Sequence, residues 1–266
     1  MPELPEVEVV VRGLRPLVVG RRITDFATRQ PKAINLPPEE FRARVRQRVV
    51  AVERRGKSAV LRLAADSLWL HRGLNGQVLY DPPGASLSES DPAPMVALAF
   101  DDGARLRLEK LFMGHAHLLT PAESAAREAE LGVDALSPDL TVEWLSRLAE
   151  VKPNLGAKAL LMDQALLAGI GNVYSDEVLH RAGISPARKL GSLSVEELRR
   201  LHRSIGEGLG EAVERGGDET YTDVAGRPGS YTSRIHGRET CTACGGPVQR
   251  AVLGGRGAYF CPRCQR

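Results

Sequence analysis

The chain has 266 residues, of which 42% are hydrophobic and 26% charged, with a net charge of +3; this is the composition of a folded protein large enough for two packed cores, and it excludes a disordered chain. No apolar run approaches the roughly 20 residues needed to cross a bilayer, which excludes a transmembrane helix. The opening Met1-Pro2-Glu3-Leu4-Pro5-Glu6 has neither the basic start nor the apolar centre of a secretory signal, so a cytoplasmic location is expected.

From Pro5 to about Leu17, Val7, Val10, Val11, Leu14 and Leu17 recur at helical spacing, with Pro5 and Glu6 suited to a first turn and Pro16 and Gly20 to its end. Short strand-like stretches follow at Val49–Val52, Ala59–Leu63, Leu68–His71, Val78–Tyr80, Val96–Phe100, Arg105–Leu108 and His115–Leu119, with Asp101-Asp102-Gly103 as a hairpin turn. Strands this close together, with no helices between them, point to an antiparallel sandwich or barrel. After Pro121 helical patterning dominates to about Arg215. One clear helix there opens on a Ser194/Glu197 capping box and carries the stripe Val195, Leu198, Leu201, Ile205, Leu209 and Val213. Residues 216–229 are glycine-rich and read as a loop. The fold class is α+β, with expected domains at 1–122, 123–215 and 216–266.

Net charge alone announces no polyanionic partner, but its distribution does. Arg42, Arg44, Arg46, Arg48, Arg54, Arg55, Lys57 and Arg62 face the single acid Glu53 in sequence, a cluster suited either to phosphate contacts or to a solvated basic face. All four cysteines lie in the last 26 residues, as Cys241-Thr242-Ala243-Cys244 and Cys261-Pro262-Arg263-Cys264. Two C-x2-C pairs in a cytosolic chain point to one zinc rather than disulfides, and four thiolates leave the metal no open position, so it is structural.

The start of the chain carries chemistry of another kind. Removal of the initiator methionine is expected before proline and leaves Pro2 as a secondary amine, of which an appreciable fraction is neutral at physiological pH for an α-amino pKa near ~7.7–8. Such an amine can attack a sugar C1′, displace a base and leave an iminium that acidifies the C2′ proton. Glu3 beside it can transfer the protons. The plainer alternative is that Pro2 and Pro5 only shape the start of a helix.

Four pieces, in matching order and spacing, make the sequence resemble the formamidopyrimidine-DNA glycosylase and endonuclease VIII family over essentially its whole length. They are Pro2-Glu3-Leu4-Pro5-Glu6-Val7, Arg54-Arg55-Gly56-Lys57, the run from Leu166 through Gly169-Ile170-Gly171-Asn172 to Ser175-Asp176-Glu177, and Gly254-Gly255-Arg256 leading into Tyr259–Gln265. Leu4 is similar to the formamidopyrimidine branch. The resemblance implies an N-terminal β-sandwich with an N-terminal helix, a helical domain with a helix-two-turn-helix, and a β-hairpin zinc finger. It implies Pro2 as Schiff-base nucleophile, Glu3 as general acid, Glu6 as a supporting carboxylate, and Lys57 and Arg256 as phosphate ligands assisting β- and δ-elimination. Asn172 at a helix start, Lys158 upstream of the turn, His71 and Arg250 are the implied further DNA contacts.

The chain also departs from the family. The three side chains that fill the gap left by an everted base are normally a methionine, a cytosine-reading arginine and a phenylalanine. Here Leu74 takes the methionine position and Glu109-Lys110-Leu111-Phe112-Met113-Gly114 the stretch with the other two, so Leu74, Leu111, Phe112 and Met113 are the candidate wedge. Leu111 cannot hydrogen-bond a cytosine. Ala93 stands near a family DNA-contacting histidine. The expected function is a monomeric glycosylase and AP lyase acting on damaged double-stranded DNA, with its target base everted. The alternatives are a family member that binds bent, branched or abasic DNA without excision, and a zinc-finger transcription factor, which one zinc knuckle and no evident major-groove helix leave with little support.

Overall fold

The computed structural model describes residues 1–85 and 94–266, so position 93 lies outside the described residues. The chain forms two compact units, residues 1–129 with 215–230, and residues 130–214 with 231–266.

The first unit opens on α1 (Leu4–Val18), whose N-cap is Glu3. The Glu3 side chain accepts from the backbone N–H of Glu6 while the Glu6 side chain accepts from that of Glu3, a reciprocal capping box with a proline in the first turn. The helix runs two residues past Pro16 and buries Val7, Val10, Val11, Leu14 and Val18. Two four-stranded antiparallel sheets follow. One has the order β1 (Ile23–Thr28), β6 (Val96–Phe100), β7 (Arg105–Glu109), β5 (Gln77–Asp81); the other has β2 (Val49–Arg55), β3 (Ser58–Leu63), β4 (Ser67–His71), β8 (His115–Leu119). Phe26, Val78, Leu98, Leu106 and Leu108 of the first sheet and Val52, Leu61, Leu70, Ala116 and Leu118 of the second share one core with α1. Each large apolar side chain among them, fully buried, contributes about 1.5–3 kcal/mol.

Two elements of this unit escape sequence patterning. In β1 a register irregularity between Ile23 and Asp25 breaks the alternation of faces. The short helix α2 (Pro38–Val45) buries only Phe41 and Val45, too few to set a period. The returning segment 215–230 is anchored by Val224, whose carbonyl accepts from Tyr80 N at 2.8 Å. Its side chain sits where Gly13 of α1 has no Cβ; one built there would lie 2.8 Å from Val224 Cγ2.

The basic cluster is not a bare phosphate-binding face. Arg54 pairs with Glu8, Arg55 and Arg62 with both Glu53 and Glu128 of α3 (Pro121–Ala129), Arg44 with Asp66, and Arg42 and Arg46 with Asp25. Apart from Glu53 these acids lie outside the cluster, and Glu8, Asp25 and Glu128 are distant enough that a local charge count does not see them.

The second unit contains α4 (Val142–Val151), α5 (Ala157–Met162), α6 (Asn172–Ala182) and α7 (Val195–Glu214), a short parallel pair of β9 (Val133–Asp134) with β10 (Leu167–Ala168), and the hairpin β11 (Gln249–Leu253)/β12 (Arg256–Phe260). Between α5 and α6 the chain turns around Gln164, whose amide donates to Ile170 O and accepts from Gly169 N. The capping box of α7 forms as expected, with Ser194 N donating to Glu197 and Glu197 N to Ser194 Oγ. Val195 does not join the buried stripe: it is 52% exposed, because the first helical position points away from the face that Leu198, Leu201, Ile205 and Leu209 bury.

Glu177 of α6 organises the chain beyond α7. Its Oε1 accepts from the backbone N–H groups of Ile235 and His236 and its Oε2 from Arg234 N and the Tyr231 hydroxyl. A carboxylate is the one side chain that can accept all four, and it is itself buried. Burial and the adjoining Glu177 push the Tyr231 phenol up, keeping it a donor. Glu177→Gln places an NH2 against donors that it cannot satisfy. It should lower stability in urea unfolding by about 2–4 kcal/mol, and a loss under about 0.5 kcal/mol, the usual range of a surface substitution, would remove the carboxylate from this role.

Candidate active site and zinc centre

At the N-terminus of the first unit, Pro2, Glu3 and Glu6 are all buried, the two carboxylates to 4% and 2% exposure. Glu6 Oε2 accepts from Glu3 N at 2.8 Å and its Oε1 from Asp218 N at 3.1 Å. Gly217 (φ +84) makes the second contact possible, since a Cβ there would lie 3.0 Å from Glu6 Cγ. One carboxylate therefore holds both the backbone of the candidate acid and the 215–230 segment. Lys57 lies in the β2–β3 hairpin turn beside Gly56 (φ +54).

His71, at the end of β4, begins a stack of three imidazoles. His71 lies over His115 at 5.1 Å and 11°, and His115 over His117 at 4.0 Å and 27°. Arg127 of α3, seated on Trp69, donates to His115 Nε2 at 2.9 Å and to His117 Nδ1 at 3.3 Å. An arginine can only donate, so His115 keeps its proton on Nδ1 and His117 on Nε2. Gly73 N–H donates to His71 Nδ1, leaving its proton on Nε2. Burial, then Arg127, Lys57, His117 and the chain N-terminus, push His71 down to about 4. Burial, then His117, His71 and Arg127, push His115 to about 3, and burial and Arg127 also lower His117. At neutral pH His71 is thus a neutral N–H donor, electrostatically in sight of Lys57 and the N-terminus. The alternating His115-Ala116-His117 put both rings on one face of β8, a signal present in the sequence but not read.

The candidate wedge divides. Leu111 is fully buried in the sandwich core and its N–H meets Met95 Sδ, so it does not reach outward as expected; the turn rotates it inward. Phe112 and Met113 are 65% and 66% exposed. Lys110 and Met113 have φ of 52° and 60°, a left-handed conformation costly for such side chains. Half-buried Leu74 adjoins them, its N–H bonded to Phe112 O at 3.0 Å.

In the second unit Asn172 is the first residue of α6, at the helix end whose dipole favours anions. Lys158, expected to contact DNA, is instead a buried structural cation. Its Nζ donates to Asp176 Oδ1 at 2.6 Å, Ser175 Oγ at 3.1 Å and Asn172 O at 3.4 Å, tying α5 to α6. Asp176 Oδ2 also accepts from His236 and from Tyr259 N. Arg256 follows the two-residue turn Gly254 (φ +55), Gly255 (φ +75), in register with Leu253. It lines a cleft of about 430 Å³ with Gly156, Met162, Pro186 and Gly254. Arg250 is exposed and lies over the Tyr259 ring at 5.8 Å.

The Sγ atoms of Cys241, Cys244, Cys261 and Cys264 all lie within 4.8 Å of one another, with the 241–264 and 244–261 pairs at 3.9 and 3.5 Å. A tetrahedral zinc with Zn–S bonds of about 2.3 Å spaces its sulfurs by about 3.8 Å. The four thiolates hold one structural zinc. His180 of α6 places Nε2 3.2 Å from Cys241 Sγ, a donor position toward a thiolate.

This geometry sets two expected outcomes. Cys244→Ser should reduce zinc below one ion per chain and loosen the finger, measured by metal analysis and by chelator-dependent unfolding; full zinc with unchanged unfolding would contradict the assignment. The histidine stack has folded pKa values below the unfolded value near ~6.5. The stability that it confers is present above pH ~6.5 and is lost as pH falls toward 4. Melting temperature should therefore drop between pH 7 and 5, and less steeply in His115→Phe; parallel pH slopes would show that the stack does not carry the effect.

Residues 1–111 match the formamidopyrimidine-DNA glycosylase N-terminal domain, residues 131–224 the formamidopyrimidine-DNA glycosylase H2TH domain, and residues 238–266 the zinc finger found in FPG and IleRS. The chain is 40% identical to the formamidopyrimidine-DNA glycosylase of Geobacillus kaustophilus over all of both chains. The MutM (Fpg) protein from Thermus thermophilus superposes with a TM-score of 0.84 at 36% identity, covering 99% of this chain and 98% of that one. A Lactococcus lactis Fpg in complex with abasic-site DNA superposes at 0.87 with 26% identity, covering 99% of each. With all three of its parts matched in order, the chain belongs to the formamidopyrimidine-DNA glycosylase family.

Proposed function

We propose that the protein is a bifunctional DNA glycosylase and AP lyase of base excision repair, acting as a monomer in the cytoplasm on oxidised bases in duplex DNA, with Pro2 as nucleophile. The observation that carries this reading is the buried capping box, which holds a carboxylate next to Pro2 at the mouth of α1 in a chain of this family. With Met1 attached the Pro2 nitrogen is an amide; removal of Met1 makes it a secondary amine. That nitrogen bonds to C1′ as the glycosidic bond breaks and the bond's electron pair leaves with the base, which takes up the amine proton and frees the nitrogen lone pair for the iminium. Glu3 delivers a proton to the sugar ring oxygen as the ring opens to the iminium. Loss of the C2′ proton expels the 3′ phosphate, and a second elimination expels the 5′ phosphate. Lys57 and Arg256 fit the two phosphates, Lys57 lying in a glycine-containing hairpin turn and Arg256 directly after one. His71, Asn172 and Arg250 are further backbone contacts, and Leu74, Phe112 and Met113 the wedge that fills the gap when the base is everted. The 215–230 segment covers the everted base. No helix among the described residues is long and apolar enough to cross a membrane.

Binding of abasic or bent DNA without excision is favoured by the burial of Leu111, which leaves that position with no group to pair with an orphaned base. One experiment separates the two readings. Protein beginning at Pro2, incubated with abasic duplex and borohydride, should give a stable covalent adduct, which an uncleaved N-terminal extension should abolish. Glu3→Gln should slow excision of an oxidised base by about 100-fold or more while affecting the abasic adduct less. Tight binding to abasic DNA with no adduct would leave the binding module.

A further inference from the structure

Arg72 follows His71 in the turn after β4 and is 4% exposed. The guanidinium is held by three backbone carbonyls from three separate stretches of the first unit. Nε donates to Gly76 O at 2.8 Å, Nη1 to Glu6 O in α1 at 3.4 Å, and Nη2 to Thr222 O at 3.5 Å. Its central carbon lies 5.5 Å from the centre of the Tyr221 ring, a cation–π contact inside the protein. Burial lowers Arg72 to about 10, offset by Glu6 and Tyr221, so it stays cationic at neutral pH. Burial, then Glu6, raises Tyr221 to about 12 and keeps it a phenol. Its hydroxyl donates to Leu74 O at 3.3 Å.

Leu74 is the second node. While its carbonyl accepts from Tyr221, its N–H donates to Phe112 O. The fit is close, since a Cβ on Gly73 (φ +64) would stand 2.1 Å from that same oxygen. The first turn of α1, the Leu74 turn, the strained Phe112–Met113 turn and the 215–230 segment are therefore joined around one buried cation. A fork of planar donors can reach three carbonyls at once; an apolar side chain of the same size can fill the space and bond to none.

We propose that Arg72 is a positioning residue that latches the 215–230 segment to the Leu74 turn and the start of α1, so that the segment over the everted base and the wedge are set together. This rests on the reading that the segment covers the everted base. Arg72 then matters for excising a base, which must be everted and held, and little for attack at a sugar with no base to hold.

The test compares wild type, Arg72→Met, Arg72→Lys and Tyr221→Phe in full-length chains beginning at Pro2. Three readouts are single-turnover excision from a duplex with one formamidopyrimidine-dG lesion, borohydride adduct formation on abasic duplex, and amide hydrogen exchange of residues 217–229. Arg72→Met should slow excision by about tenfold or more while leaving the abasic adduct rate within about threefold, since a small misplacement costs the positioned step most. Exchange should rise in 217–229 and not in β2 or β3. Arg72→Lys, which keeps a buried cation able to reach carbonyls, should recover most of the excision rate, and Tyr221→Phe should show a smaller loss of the same kind. Equal slowing of excision and adduct formation, or exchange in 217–229 unchanged from wild type, overturns the inference. If wild type neither excises nor forms an adduct, the proposed function fails; exchange in Arg72→Met and Arg72→Lys still decides the latch. Should Arg72→Met not fold, Tyr221→Phe carries the comparison, and wild-type excision with wild-type exchange in 217–229 in that variant overturns the inference.

Discussion

The arrangement at the N-terminus of the first unit depends on the carboxylate of Glu6. A helix start leaves backbone N–H groups without partners, and in this chain those groups belong to the residues proposed to do chemistry. By accepting from Glu3 N with one oxygen and Asp218 N with the other, Glu6 fixes the direction in which the chain leaves α1 toward Pro2 and, at the same time, the place where the 215–230 segment begins. Two segments more than 200 residues apart in sequence thus share one acceptor. The plainer reading of the opening string, as a helix start, and the chemical one describe the same geometry: the capping box is what keeps Glu3 and Pro2 from fraying.

The second unit solves a related problem with adjacent carboxylates on α6. Asp176 compensates the buried Lys158 and receives His236 and Tyr259 N, while Glu177 collects three successive amides and a phenol. Buried charges are costly unless every lone pair and proton is used, and here the uses fall on the chain leading into the finger. One turn further along the helix, His180 meets Cys241. The zinc site is thereby built against α6 rather than hung on a free hairpin, and the orientation of Arg250 and Arg256 follows from that attachment.

What could be read from the sequence was whatever is encoded locally. The helix expected from Pro5 to about Leu17, which spans Leu4–Val18, the strands from Val49 to Leu119, the Ser194 cap and the paired cysteines are all set by spacing within a few residues. The misreadings share a cause. Lys158 and several of the arginines from Arg42 to Arg62 looked available because acids that pair with them, Asp176, Glu8, Glu128 and Asp25, are distant in sequence. Leu111 looked like a wedge because neighbouring Phe112 and Met113 are, and only the left-handed backbone at Lys110 and Met113 decides which side chain turns inward. Arg72 carried no signal at all, since its partners are carbonyls, which every residue has.

The pairing of Gly13 with Val224 has a consequence for motion. A glycine within α1 sacrifices roughly 1 kcal/mol of helix propensity, and in its place the sandwich core accepts a side chain from the 215–230 segment. That segment is therefore not a lid that swings free on two hinges. Lifting it whole would empty a seat in the core and expose the flank of α1, so the large excursion belongs to subglobal unfolding and draws on the cooperative stability of the unit. Any rapid rearrangement is confined to the stretches on either side of the seated valine.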